Sequence, residues 1–111
     1  PLAVGERRAK EIIFTGKAFT AEQAYEWGLV NKVCSAESLM EETIETARAI
    51  ACNAPQSLMR AKRSISIANQ VDRNSGYQFE LEAYNRLVVT EDRHEGVLAF
   101  NEKRKPNFTG K

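Results

Sequence analysis

Residues 13–33 read IFTGKAFTAEQAYEWGLVNKV, and this stretch contains the local signals that decide how the chain folds. Thr20 and Gln23 have the spacing of a capping box, in which each side chain bonds the free backbone N–H of the other residue. Glycine commonly ends a helix because it adopts the left-handed conformation without strain. The stretch therefore predicts a short helix that begins after Thr20 and runs to Trp27, with Gly28 as its C-cap.

The segments on either side are predicted to be a helix and a strand. Residues 6–14 carry apolar side chains at helical spacing among charged ones, and Gly16 is expected to end that helix. Residues 29–34, with Val30 and Val33, are the one segment with the character of a strand. Because a lone strand leaves backbone donors and acceptors unpaired, its partner is expected to lie upstream.

Three helices are predicted to follow. Ser35 is positioned to cap the first of them. The apolar stripe expected to be buried on that helix consists of Met40, Ile44, Ala47 and Ala51. Pro55 is expected to open the next helix, because its missing N–H costs nothing at the first helical position. Residues 72–76 are interpreted as a turn before a helix that runs to Val89.

Thr90 is the predicted N-cap of a last helix, with Glu91 and Asp92 near the positive end of its dipole. This helix is expected to continue to about Lys103, because Pro106 prevents a longer one. The pattern as a whole predicts a mostly α fold with about six helices and one short strand.

The composition is that of one folded domain over residues 1–111. Apolar residues make up 42% and charged residues 28%, with a formal net charge of +1. These values exclude a disordered chain, and the near-zero charge provides no general attraction to nucleic acid. No apolar run is long enough to cross a membrane and no signal peptide is visible, so a cytoplasmic location is expected.

Few residues have the pattern of a catalytic or metal site. Cys34 and Cys52 lack the spacing and partners of zinc ligands and are expected to be reduced rather than disulfide-bonded. His94, the one histidine, lies among charged residues and is expected on an exposed helix face. The clustered glutamates lie mostly opposite the apolar stripes. No catalytic residue and no metal ligand are therefore predicted.

Two basic groups remain, at residues 60–63 and 103–105. Aromatic residues do not interleave with them, as a platform for stacked bases would require. A site for one small phosphorylated ligand is easier to defend than a nucleic-acid interface. The alternative for Lys103 is a charge at a helix end that complements the dipole.

Two separated motifs resemble one enzyme family. Residues 13–33 are similar to the segment of crotonase-superfamily proteins written loosely as LTG, SAEEA and GLVN.V. Residues 90–108, which read TEDRHEGVLAFNEKRKPNF, resemble the closing EDR.EG..AF.EKR.P.F of enoyl-CoA hydratases, with residues 54–55 and 61–62 in the expected places between. The chain therefore resembles the enoyl-CoA hydratase/isomerase (crotonase) family along its whole length.

This resemblance implies the C-terminal helical region of a crotonase (ClpP-like) fold. An upstream part would hold a β-rich core, the oxyanion hole and two glutamates that activate water for addition to an enoyl thioester. The opening residues PLAVG, without an initiator methionine, are interpreted as the interior of a longer chain. The implied substrate is an acyl-CoA thioester, with 2-enoyl-CoA hydration as the expected reaction. Coenzyme A enters as part of that substrate and no cofactor is implied.

The family's C-terminal helices pack subunits into trimers or hexamers and cover the CoA end of the site. Lys103 matches a lysine that the family commonly places near the CoA phosphates or adenine. Tyr84 matches an aromatic position that often lies against the adenine, although a core position is equally compatible with its helix stripe. Phe100 and Trp27 are expected to be packing residues. By the same resemblance, the isolated chain is expected to lack hydratase activity.

Two other classes of function stay open. A stand-alone helical interaction module would use the apolar helix faces as a partner surface. A small basic nucleic-acid binder would have to use a local cluster of positive charge, because the net charge of the chain is only +1. Within the family, the sequence does not separate hydration from isomerisation, dehalogenation or decarboxylation, and acyl-chain length is equally open.

Overall fold

A computed structural model describes all 111 residues and contains six helices. They are α1 (Gly5–Thr15), α2 (Ala21–Glu26), α3 (Leu39–Ala51), α4 (Pro55–Ala68), α5 (Arg73–Val88) and α6 (Glu91–Asn101). The mostly α fold with six helices is therefore confirmed. None of these helices is both long enough and apolar enough to cross a lipid bilayer.

The predicted capping signals of α2 are confirmed. The Thr20 hydroxyl accepts from the Gln23 N–H at 3.2 Å, and the Gln23 side chain accepts from the Thr20 N–H at 2.9 Å. Gly28 follows the C-cap with a φ of 72°. Its N–H donates to the Tyr25 carbonyl at 3.0 Å and the Leu29 N–H donates to the Ala24 carbonyl at 2.8 Å, which is a Schellman motif.

The strand predicted at residues 29–34 is wrong, since no strand occurs in the chain. The N–H groups of Leu29 and Val30 both donate to the Ala24 carbonyl, at 2.8 and 3.4 Å. These donors complete the end of α2 and are no longer available to a strand ladder. The β-branched character of the segment therefore does not determine its conformation, because no second strand pairs with it.

Two further local predictions are wrong. The turn predicted at residues 72–76 is instead the start of α5, because the Asp72 carboxylate accepts from the N–H groups of Asn74 and Ser75 and caps a helix. The helix after Ser35 begins four residues later, at Leu39. The Ser35 hydroxyl accepts from the Ser38 N–H at 3.2 Å and so closes a turn before that helix.

The apolar stripe of α3 is not buried. No residue of α3 is buried, and Met40 and Ile44 are 65% and 40% exposed. The amphipathic pattern correctly predicts the helix, but the surface that would cover it is not provided by this chain.

The chain divides into two compact units, residues 1–43 and 44–111. Ala9 and Ala24 are the buried apolar residues of the first unit, and Ala54, Ala83 and Ala99 are those of the second. Within the second unit α4 packs against α5. No large side chain is fully buried in either unit, so the interior consists of small residues where backbones approach each other.

Candidate functional site

Lys103 lies in the turn that ends α6. The N–H of Lys103 donates to the Phe100 carbonyl at 3.2 Å, and the N–H of Arg104 donates to the Ala99 carbonyl at 3.0 Å. These two bonds form a Schellman motif, with Lys103 at the position that glycine usually occupies. Lys103 has a φ of 54° and is the one non-glycine residue of the chain with a positive φ. Its side chain is exposed.

The residues on both sides of Lys103 form ion pairs. The Arg104 guanidinium contacts both carboxylate oxygens of Glu95, at 2.6 and 2.9 Å, and its Nε donates to Glu102 at 2.6 Å. The Asn107 N–H also donates to Glu95, at 2.7 Å. The guanidinium first, and then this backbone bond, lower the pKa of Glu95 to about 2. Both carboxylates in turn raise the pKa of Arg104.

Residues 104–111, called the tail below, are bonded to α6 through Asp92. The Asp92 carboxylate is 3% exposed and accepts from the N–H groups of Thr109 and Gly110 at 2.7 and 2.8 Å. Its own N–H donates to the Lys111 carbonyl at 3.0 Å. The tail is therefore held against the first turn of α6 by a buried carboxylate.

Two more contacts fix the tail within the second unit. The Gln56 side chain donates to the Gly110 carbonyl at 3.1 Å, which links the tail to α4. A Cβ placed on Gly96 would lie 3.6 Å from the Phe108 ring, so the ring packs closely over the α6 backbone. The acidic, glycine and phenylalanine positions of the 90–108 motif thus have a structural role that the sequence reasoning missed. The sequence alone offers no signal for these pairs, because Asp92 bonds residues 17 and 18 positions later in the chain.

Tyr84 lies in a different part of the second unit. It is 53% exposed, so it is not a core residue, and it lines a pocket of about 430 Å³ between α4 and α5. Arg60, Ser64 and Glu80 provide polar groups on the same walls. Lys103 is not among the residues that line this pocket.

Three arginines gather beside this pocket around one carboxylate. Arg60, Arg63 and Arg86 line a smaller cavity of about 190 Å³ together with Glu82. Arg86 donates to Glu82 at 2.6 Å, and this bond is the main cause of the lowered pKa of Glu82. The Arg63 guanidinium lies 5.3 Å from the centre of the Phe79 ring. The basic group at residues 60–63 therefore contributes to a positively charged rim.

The remaining candidate residues have structural or surface positions. A pocket of about 740 Å³ in the first unit is lined by three glutamates and two arginines, a charge balance that does not favour a phosphorylated ligand. Trp27 packs against Phe19 and beneath Arg8, with centroid distances of 5.2 and 4.7 Å, as predicted for a packing residue. Phe100 is 83% exposed, so a packing role for it would need other polypeptide.

The titratable residues outside these clusters form no further site. His94 is exposed on α6, as predicted. Cys34 and Cys52 are both free cysteines. No three metal-ligating side chains come together anywhere in the chain.

Comparison with known proteins shows which family the chain belongs to. The profile of the enoyl-CoA hydratase/isomerase family matches residues 1–111. The crystal structure of an enoyl-CoA hydratase from Bacillus anthracis is 44% identical, with a TM-score of 0.97 over 100% of this chain and 43% of that chain. The mitochondrial enoyl-CoA hydratase of Pongo abelii is 39% identical over 95% of this chain and 36% of its own length. An enoyl-CoA isomerase/hydratase of Mycosarcoma maydis is 38% identical over 100% of this chain and 40% of its own.

The chain therefore belongs to the enoyl-CoA hydratase/isomerase family. Its six helices have the fold of the matching part of an enoyl-CoA hydratase. The chain spans about two fifths of the length of these relatives.

Proposed function

We propose that residues 1–111 form the C-terminal helical region of an enzyme that acts on acyl-CoA thioesters, with hydration of a 2-enoyl-CoA as the reaction. In this proposal the region contributes two things. Its apolar helix faces pack against the rest of the enzyme and against other subunits of a trimer or hexamer. Lys103 and Tyr84 contact the CoA part of the substrate, and coenzyme A is needed only as part of that substrate.

The packing proposal is supported by the size of the apolar residues in the interior and on the surface. The buried apolar residues are five alanines, whereas large apolar side chains such as Phe14, Met59 and Val89 are 78%, 62% and 81% exposed. Burial of a Leu- or Phe-sized side chain stabilises a protein by about 1.5–3 kcal/mol, so faces of this kind favour association. Membership of a family whose matched proteins are more than twice as long supports the same conclusion.

The CoA contact is proposed for Lys103 because its ammonium is exposed at the end of α6 while both neighbouring residues are engaged in ion pairs. An ammonium is a compact point charge that suits a phosphate group. Tyr84 offers an exposed ring for an adenine, with Arg60 in the same pocket. Phe100 is a second exposed ring and stands one turn from Lys103. It therefore competes with Tyr84 for this role.

No residue of the chain is assigned to catalysis. The one buried carboxylate, that of Asp92, accepts hydrogen bonds from the tail and has no free face for a substrate. We therefore expect no turnover of crotonyl-CoA by the 111-residue chain. Turnover that is lost when Asp92 or His94 is replaced would contradict the assignment of catalysis to other parts of the enzyme.

The binding proposal is tested by titrating the ¹⁵N-labelled chain with coenzyme A at low ionic strength. We expect the affected amide resonances to include residues 100–104, and Lys103→Ala to raise Kd by about 1.4- to fivefold, since an exposed charge pair contributes about 0.2–1 kcal/mol. The loss should shrink at high salt. Lys17→Ala removes the same charge from an exposed position of the first unit and is the matched control. An unchanged Kd for Lys103→Ala would make Lys103 a helix-end charge only.

The same titration separates the two aromatic candidates. Tyr84→Leu and Phe100→Leu each remove one exposed ring and keep an apolar side chain. The variant that weakens binding identifies the stacking residue, because base–aromatic stacking is worth about 1–3 kcal/mol. If neither variant binds coenzyme A more weakly, the aromatic part of the proposal is wrong.

The stand-alone interaction module is the second candidate, because the exposed faces of α3 would equally suit a protein partner. It differs from the first proposal in requiring a self-sufficient monomer that does not bind coenzyme A.

A further inference from the structure

The turns that end α2 and α6 have the same hydrogen bonds but different residues at the left-handed position. Gly28 has a φ of 72° at the end of α2, and Lys103 has a φ of 54° at the end of α6. Glycine adopts this conformation freely, whereas any residue with a Cβ is disfavoured because that atom approaches the following carbonyl oxygen. The α6 turn therefore places a long cationic side chain where the backbone alone would favour glycine.

The two turns also differ in what flanks that position. Gly28 stands between Trp27 and Leu29, and neither forms an ion pair. The α2 turn thus has a glycine at its left-handed position and no ion pair beside it. Lys103 stands between Glu102 and Arg104, which bond each other at 2.6 Å.

Arg104 is also fixed by Glu95, which stands nine residues earlier and lies on α6. Two parallel N–H···O bonds of 2.6 and 2.9 Å join the guanidinium to Glu95, whose side chain is only 21% exposed. A bidentate pair of this kind fixes orientation as well as distance. The Asn107 N–H donates to the same carboxylate, so the chain is held on both sides of Lys103.

We propose that Glu95 and Arg104 are positioning residues, which hold Lys103 in its left-handed conformation and so direct its ammonium to a phosphate group of the CoA substrate. This inference rests on the proposed CoA contact of Lys103. It explains why a strained conformation persists at this point of the chain, since strain of this kind is retained where the surroundings over-determine it. It also explains why the ion pairs of Arg104 occur at the α6 turn and have no counterpart at the α2 turn, where glycine takes the left-handed position.

The test measures the Kd of the full chain for coenzyme A at low ionic strength, together with the backbone conformation of residue 103 from its ³J(HN,Hα) coupling. Glu95→Gln is expected to raise Kd about 1.4- to fivefold, as much as Lys103→Ala does, and to shift the coupling of residue 103. Combined with Lys103→Ala, it should add no further loss, because the two changes remove one interaction.

Arg104→Lys provides a second variant, because it keeps the charge and the Glu95–Asn107 bond but loses the planar fork. It should weaken binding as Glu95→Gln does. Glu11→Gln breaks the 2.7 Å pair with Arg8 on α1 and is the control that should leave Kd unchanged. Far-UV circular dichroism checks that each variant keeps its helices.

Two results would overturn the inference, and only the second also overturns the proposed CoA contact of Lys103. If Lys103→Ala weakens binding but Glu95→Gln and Arg104→Lys do not, the positioning role fails and the CoA contact stands. If Lys103→Ala itself has no effect, the proposed contact fails and the positioning role fails with it.

Discussion

Replacing Asp92 with alanine is expected to release the tail from α6. The Asp92 carboxylate accepts two backbone bonds, from Thr109 at 2.7 Å and from Gly110 at 2.8 Å, and is 3% exposed. A hydrogen bond to a charged group contributes about 1.5–3 kcal/mol, and water can partly replace it once the tail has moved. The two bonds together should therefore contribute about 2–4 kcal/mol to keeping the tail bound.

Hydrogen exchange of the backbone amides measures how much stability the tail loses when the Asp92 carboxylate is removed. A change of 1.4 kcal/mol corresponds to a factor of about 10, so the amides of Thr109 and Gly110 should exchange at least about tenfold faster in Asp92→Ala. Asp92→Asn should give much of the same loss, because its NH₂ group is a donor facing other donors. Glu91→Gln removes an adjacent charge from the same helix turn and should change stability by only a few tenths of a kcal/mol, or about 1 at most.

Two hydrogen-exchange results would contradict the role assigned to the Asp92 carboxylate. If the amides of Thr109 and Gly110 exchange at the same rate in the original chain and in Asp92→Ala, the buried carboxylate does not hold the tail. Faster exchange in Glu91→Gln of the same size would show that the charge of the helix end, and not the two directed bonds, is responsible.

Two further predictions concern the α6 turn and can be checked by denaturation and NMR. Lys103→Gly should raise the free energy of unfolding by about 0.5–1 kcal/mol, because it relieves the strain of the left-handed conformation. Gly28→Ala should lower the free energy of unfolding by about 1–2 kcal/mol, because it introduces that strain. Urea denaturation that gives the opposite signs would contradict the presence of this strain. The lowered pKa of Glu95, about 2, means that the stability contributed by its ion pair is complete above the unfolded-state pKa of 4.5 and is lost as pH falls from there through 2. The Asn107 amide resonance should therefore keep its hydrogen-bonded shift down to about pH 3, and a change centred near pH 4.5 would show that the bond is weaker than the geometry indicates.

The helices could be predicted from the sequence because their signals are local. The capping box of Thr20 and Gln23, the proline that opens α4 and the N-cap at Thr90 each act within one helical turn, and all three are present. Asp72 was interpreted as part of a turn, but the same side chain can start a helix, and it caps α5.

The features that could not be predicted depend on residues far apart or on surfaces outside the chain. Asp92 bonds residues 17 and 18 positions later, and no periodicity indicates such a pair. The segment after Gly28 has the composition of a strand, but the end of α2 uses its first donors. The stripe of α3 has the spacing of a buried face and nothing in this chain covers it. In each case a partner outside the local pattern decides the outcome.

The central claim is that these helices need cover from other polypeptide, and sedimentation of the chain at several concentrations tests it most directly. The account predicts a helical chain that associates as its concentration rises and that binds a hydrophobic dye, because its large apolar side chains are exposed and its interior is built from alanines. A chain that stays monomeric at every concentration, binds no dye and unfolds cooperatively would contradict the claim and favour a self-sufficient interaction module.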